Sequence, residues 1–203
     1  MATAGAQQKL SVVFFSKEVR EGQPQENEQE IKERYRDQVL RLQQNDQLLV
    51  RAVLEGGSEI LVMNTASTQK AREWISAGDF KESKHFKVEV LPCTFRHNNG
   101  CATKENVERE SLTFIRYNTH ITKFNVREAP TLFRDHDEYL SKLSKTGNVI
   151  CEGLFSDDDG GIMIMKGEVD PAVIMADPAV ANGIIEPIIK KMWVAYGSPC
   201  KLG

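Results

Sequence analysis

The sequence predicts an α+β protein made of two copies of one βαββαβ unit, packed sheet to sheet within a single chain. Three features predict it: two β-hairpin signals about a hundred residues apart, an amphipathic helix stripe before each, and a short helix plus a closing strand after each.

The hairpins are the clearest signal. Leu48-Leu49-Val50-Arg51-Ala52-Val53-Leu54 is a run of β-formers, followed by the glycine pair Gly56-Gly57 and a second run, Ile60-Leu61-Val62-Met63. The pattern returns as Val149-Ile150-Cys151-Glu152-Gly153-Leu154-Phe155, then Gly160-Gly161, then Ile162-Met163-Ile164-Met165. Upstream, Ile31, Tyr35, Val39 and Leu42 recur at i, i+4, i+8 and i+11, the stripe of a half-buried helix. Leu132, His136, Leu140 and Leu143 recur at the same intervals. Downstream, Ala71, Trp74 and Ile75 mark a short helix ending at Ala77-Gly78-Asp79, matched by Val169, Ala172, Val173 and Ala176, ending at Ala176-Asp177-Pro178. Strands open the copies at Leu10 to Phe15 and Leu112 to Tyr117. Strands close them at Phe86 to Val90, alternating with Lys87 and Glu89, and at Ile184 to Trp193.

This order is that of a ferredoxin-like unit, whose two helices cover one face of an antiparallel sheet. The uncovered face still carries alternate apolar residues, such as Leu48, Val50, Ala52 and Leu54. Two such faces in one chain bury each other. The expected units are 1–92 and 111–203, joined by a polar linker, 93–110, that contains Asn98-Asn99-Gly100.

Composition narrows the function. A net charge of -3 argues against a nucleic-acid groove, which needs a basic face. No apolar stretch approaches the roughly 20 residues of a membrane span, and Met1 to Leu10 lacks the pattern of a signal peptide, so a cytoplasmic protein is expected. Cys93, Cys101, Cys151 and Cys200 form no CxxC pair, so reduced thiols are expected; a Cys93–Cys101 disulfide across a hairpin-like loop is the alternative. Asp157-Asp158-Asp159-Gly160-Gly161 lacks the glutamate of a calcium loop and reads as a turn. Gly56-Gly57 has no lysine or helix after it and is no phosphate cradle. Neither a metal nor a cofactor is called for.

The second copy resembles the YCII-related family of the dimeric α+β barrel superfold. The residues that carry the resemblance are His136, Gly147, Val149-Ile150, Gly153, the glycine-containing hairpin, Ala176-Asp177-Pro178 and Ala181-Asn182-Gly183. The resemblance covers roughly residues 112–193, and more faintly 10–92. It implies a His–Asp pair in a cleft, here His136 and Asp177. Departures from the family pattern are plain. Arg134 stands two residues before the histidine rather than three, Leu154 replaces a proline, and Ala179 replaces an aromatic residue. The first copy keeps Asp79 but has Tyr35 where the histidine belongs, which leaves it a vestigial site.

A histidine on the apolar stripe of a helix faces the sheet, where it serves either as a core residue or as an acid–base group oriented by a carboxylate. Asp before Pro is also ordinary turn chemistry. The leading expectation is a small-molecule enzyme doing cofactor-free proton transfer, lyase- or isomerase-like. His136 is the base and Asp177 its orienter, with Arg116 or Arg134 as candidates for binding an anionic substrate group. The resemblance implies a cyclic or aromatic substrate, since relatives include a dehydrochlorinase of hydroxylated aromatics. The alternative is a non-catalytic ligand-binding or scaffold protein on the same barrel; a haem or oxygenase barrel of that superfold is a third reading. A small-molecule ligand is the expected partner, bound by a monomeric pseudo-dimer or a higher homo-oligomer.

Overall fold

The computed structural model describes residues 7–17, 28–77, 86–96, 111–120, 127–156 and 160–202. Asp79, His85, His97, Cys101 and Asp157 to Asp159 lie outside the described residues. The first half runs β1 (Gln8–Lys17), α1 (Glu28–Gln44), β2 (Leu48–Leu54), β3 (Glu59–Met63), α2 (Thr68–Ser76) and β4 (Phe86–Arg96). The second runs β5 (Leu112–Thr119), α3 (Ala129–Ser144), β6 (Val149–Phe155), β7 (Gly161–Lys166), α4 (Pro171–Met175), α5 (Pro178–Ala181) and β8 (Ile185–Gly197), with a short 3-10 turn at Pro199–Lys201. The βαββαβ order therefore occurs twice.

One expected helix is two. Asp170 and Asp177 each have extended backbone, each caps an N-terminus with its carboxylate, and each precedes a proline in the first turn of its helix. Proline has no N–H to lose at that position, so Asp-Pro starts a helix as readily as it ends one.

The eight strands close into a single antiparallel barrel in the order β1-β3-β2-β8-β5-β7-β6-β4. Each half contributes four neighbouring strands, β4-β1-β3-β2 and β8-β5-β7-β6. Two hydrogen-bonded seams join the halves: β2 with β8, where Leu54 faces Met192, and β4 with β6, where Cys93 faces Phe155 and Arg96 faces Glu152. The halves thus meet edge to edge as well as face to face, because a free strand edge leaves a row of unpaired N–H and C=O groups.

This corrects the expected boundary after residue 92. β4 continues through Cys93-Thr94-Phe95-Arg96, pairing with β1 on one side and β6 on the other. Pro92 reads as a strand breaker, yet the alternation goes on past it: Cys93 and Phe95 are buried in the lumen, and Arg96 lies on the opposite face.

Apolar side chains fill three zones. The lumen holds Val12, Val50, Ala52, Phe95, Phe114, Ile162 and Ile164. A second cluster lies under α3, α4 and α5, and a third under α1 and α2. β1, β3, β5 and β7 therefore bury both faces, whereas β8 is largely exposed or half-buried. No helix among the described residues is long and apolar enough to cross a membrane. Cys93 and Cys151 are free, buried thiols whose pKa burial pushes up, whereas Cys200 is disulfide-bonded. Neither cysteine expectation holds: Cys93 makes no disulfide, and the cysteines are not all thiols.

Gly197 marks the β2–β8 seam. Its φ is +72°, and a Cβ there would stand 1.8 Å from the Leu49 carbonyl oxygen. Gly57 has a similar φ, +79°, but open space around it. Gly197→Ala is predicted to cost roughly 3 kcal/mol or more in a denaturant titration. Gly57→Ala is predicted to cost about 1 kcal/mol, the left-handed backbone term alone. Equal losses would show that the seam is not packed this closely.

Candidate functional site

The buried stripe of α3 sets the site. Leu140 and Leu143 on this stripe are buried in the cluster beneath the helix, and His136 shares their face at 9% exposure. The imidazole meets the Tyr117 ring of β5 edge to face, with centroids 5.6 Å apart. Asp177 arrives from the N-cap of α5 and is 1% exposed. Its Oδ1 accepts the Ala179 N–H at 2.9 Å, and its Oδ2 accepts from His136 Nδ1 at 2.5 Å.

Asp177 is thereby held at both oxygens, by a helix end and by the imidazole. With Nδ1–H donated to the carboxylate, the ring's remaining lone pair is on Nε2. The Tyr117 hydroxyl is pushed to a higher pKa by burial first and by the Asp177 charge second, so it remains a neutral donor.

A cavity of about 370 Å³ lies between α3 and the outer wall of the barrel. Its size is in the range of small-molecule sites. His136, Phe133 and Leu140 line it from the helix; Tyr117, Glu152 and Arg96 line it from β5, β6 and β4. In register, Arg96 is paired with Glu152 and Tyr117 with Gly161. The intervening residues Phe95 and Ile162 belong to the lumen cluster. Strand alternation puts Arg96, Tyr117 and Glu152 on the helix-covered face, and the cavity also reaches Phe155 and Ile162 of the lumen cluster.

The matching place in the first half holds a different set of side chains. Tyr35 meets Phe15 edge to face at 5.7 Å, as His136 meets Tyr117. Its hydroxyl donates to Glu59, which also accepts from Arg51 Nε at 2.7 Å and Nη2 at 3.0 Å. The Arg51 guanidinium stacks over the Tyr35 ring at 5.5 Å. Burial and then the Glu59 charge push the Tyr35 pKa up. The ladders equate Glu59 with Gly161, and Arg51 with Glu152. Where the first half has this carboxylate, the second has a glycine. A Cβ on Gly161 would stand 2.6 Å from the Gly153 carbonyl oxygen.

Of the residues singled out in the sequence, His136 and Asp177 are brought together, and the two arginines are not. Arg116 points into the lumen and donates to both oxygens of Glu89, at 2.7 and 2.9 Å. It stacks on Phe14 at 4.6 Å and lines a separate cavity of about 270 Å³. That pairing holds the Glu89 carboxyl below its ordinary pKa. Arg134 is exposed and bonds its neighbour Asp135 at 3.1 Å.

Arg96, Glu152 and Tyr117 are cavity residues that the sequence reading passed over as functional groups. A charged residue inside the run Val149-Ile150-Cys151-Glu152 was the available signal, since a carboxylate in a strand buried on both faces needs a reason. Arg96 carried no such signal, because it followed a proline in an apparent linker.

No family model matches the chain, and no curated protein matches it, so membership of the YCII-related family is not shown. Solved structures do match. Two single-arginine variants of chlorite dismutase from Candidatus Nitrospira defluvii align at TM-scores of 0.56 and 0.54, with 11% and 9% identity. Each alignment covers 99% of this chain, and 95% and 94% of those chains. At such identity the likeness establishes the fold, a dimeric α+β barrel formed within one chain.

Asp177→Ala removes a helix cap, about 1 kcal/mol, and leaves a buried ring N–H unpartnered, about 1–3 kcal/mol. A loss of roughly 2–4 kcal/mol is expected in urea titration. Asp177→Asn keeps an oxygen for the Ala179 N–H and is expected to lose clearly less. Equal losses would mean that the cap contributes nothing.

Proposed function

We propose that the chain is a small-molecule enzyme whose His136–Asp177 pair performs proton transfer in the second-half cleft, giving a lyase- or isomerase-type reaction without a cofactor. The observation that carries this reading is the 2.5 Å contact between His136 Nδ1 and Asp177 Oδ2, at the wall of a cavity. A carboxylate on Nδ1 orients the ring, fixes its tautomer and stabilises the imidazolium that forms when Nε2 takes a proton.

The chemistry balances within the pair and the substrate. Nε2 accepts a proton from a carbon or oxygen acid, and the electron pair stays on the substrate. The imidazolium then returns the proton at another atom, an isomerisation, or the electron pair expels a leaving group, an elimination. The apolar walls Phe133, Leu140 and Leu154 suit a compact cyclic or aromatic substrate, the class that the YCII-like pattern implies. That pattern supports, without establishing, a YCII-like assignment.

The alternative is a binding or scaffold protein that keeps the barrel without turnover. The low exposure of His136 and the tyrosine at the histidine's place in the first half favour it. The two readings separate in one experiment. A panel of cyclic ketones and hydroxylated aromatics is incubated with the protein in D₂O, and C–H exchange is followed by NMR. The enzyme reading expects accelerated exchange for at least one compound, falling ~100-fold or more in His136→Gln. Exchange that His136→Gln leaves intact contradicts the assignment, and no exchange across the panel favours the binding protein.

A further inference from the structure

We infer that the cleft takes a small organic acid, and that Arg96, supplied by the first half of the chain, is the residue that holds its carboxylate or the equivalent oxygen anion. The inference deepens the proposed function and rests on the same cleft, but not on His136 doing chemistry.

Arg96 ends β4, crosses the seam to face Glu152 of β6, and lines the cavity beside His136 and Tyr117. Its Nε is buried and makes no hydrogen bond. A guanidinium has five N–H donors in a planar fork and cannot give up its charge, so a buried donor left unmatched is costly. Two half-buried guanidinium groups among the described residues are matched: Arg51 by Glu59 and Arg116 by Glu89, each through two bonds. Arg96 differs in that its unmatched Nε belongs to a residue lining a cavity large enough for a ligand. The group that fits a guanidinium edge is a planar pair of oxygens, or an enolate or phenolate oxygen. Phe133, Leu140 and Leu154 supply the apolar walls for the rest of such a molecule.

The pseudo-symmetric cleft shows what a guanidinium on this face takes as its partner. Arg51 there sits on the same covered face, and the oxygens that satisfy it come from Glu59. In the second cleft the Glu59 position is Gly161 and the Arg51 position is Glu152, so the Arg51–Glu59 pair has no counterpart there, and the guanidinium comes instead from Arg96 of the seam strand. A ligand carboxylate in the second cleft would play the part that Glu59 plays in the first.

Binding is tested with benzoate and with its neutral isostere benzamide, by calorimetry on the full chain. The inference expects benzoate to bind at least ten-fold more tightly than benzamide to the unaltered protein. It also expects Arg96→Gln to erase that preference, and Arg134→Gln, at an exposed site, to leave it unchanged. Equal binding of the two probes, no binding of benzoate, or a preference that survives Arg96→Gln in a variant with an unchanged melting curve would overturn it. The comparison of probes needs no variant, so misfolding of Arg96→Gln would not rescue the idea. Arg96-dependent benzoate binding without any C–H exchange would sink the proton-transfer reading and leave this one standing.

Discussion

Everything in this molecule follows from the need to close strand edges. A four-stranded ferredoxin-like sheet has two free edges and one bare face. Doubling the unit within one chain removes all three at once. The bare faces become a shared lumen, and the edges become the β2–β8 and β4–β6 ladders. The lumen cluster draws residues from both halves, including Val12 and Phe95 from the first and Phe114 and Ile164 from the second. Neither half has a complete core of its own.

Closure also decides where chemistry is available. Because the last strand of each half is laid against the other half, each helix-covered cleft is walled partly by foreign residues. Tyr196 of β8 reaches the first cleft opposite Arg51, and Arg96 of β4 reaches the second opposite Glu152. The two clefts differ in content. Tyr35, Glu59 and Arg51 bond one another in the first cleft. In the second, Gly161 withdraws the carboxylate, and His136 replaces the tyrosine with Asp177 behind it. A single chain thus keeps the barrel in both halves and a His–Asp pair in one cleft.

The repeat was legible because hydrophobic period and glycine position survive duplication even when identities do not. Ile31, Tyr35, Val39 and Leu42 can be laid over Leu132, His136, Leu140 and Leu143 by spacing alone. The pairing of His136 with Asp177 came from the family resemblance, because Asp177 read as the end of one helix whereas it caps the start of the next. Seams were not legible. Which edge joins which is a long-range matter, so the role of Cys93 to Arg96 was lost behind Pro92. For the same reason Arg96 was passed over. Arg116 and Arg134 are near His136 in register or sequence, whereas Arg96 reaches the cleft only through a ladder between halves.

The central claim is that the halves form one closed barrel rather than two units in contact. Native-state amide hydrogen exchange tests it most directly. The account predicts that seam amides of β2–β8 and β4–β6 exchange only by global unfolding, with the same free energy and denaturant slope as β1–β3 and β5–β7. Seam amides that open several kcal/mol more cheaply, while the ladders within each half stay protected, would contradict it.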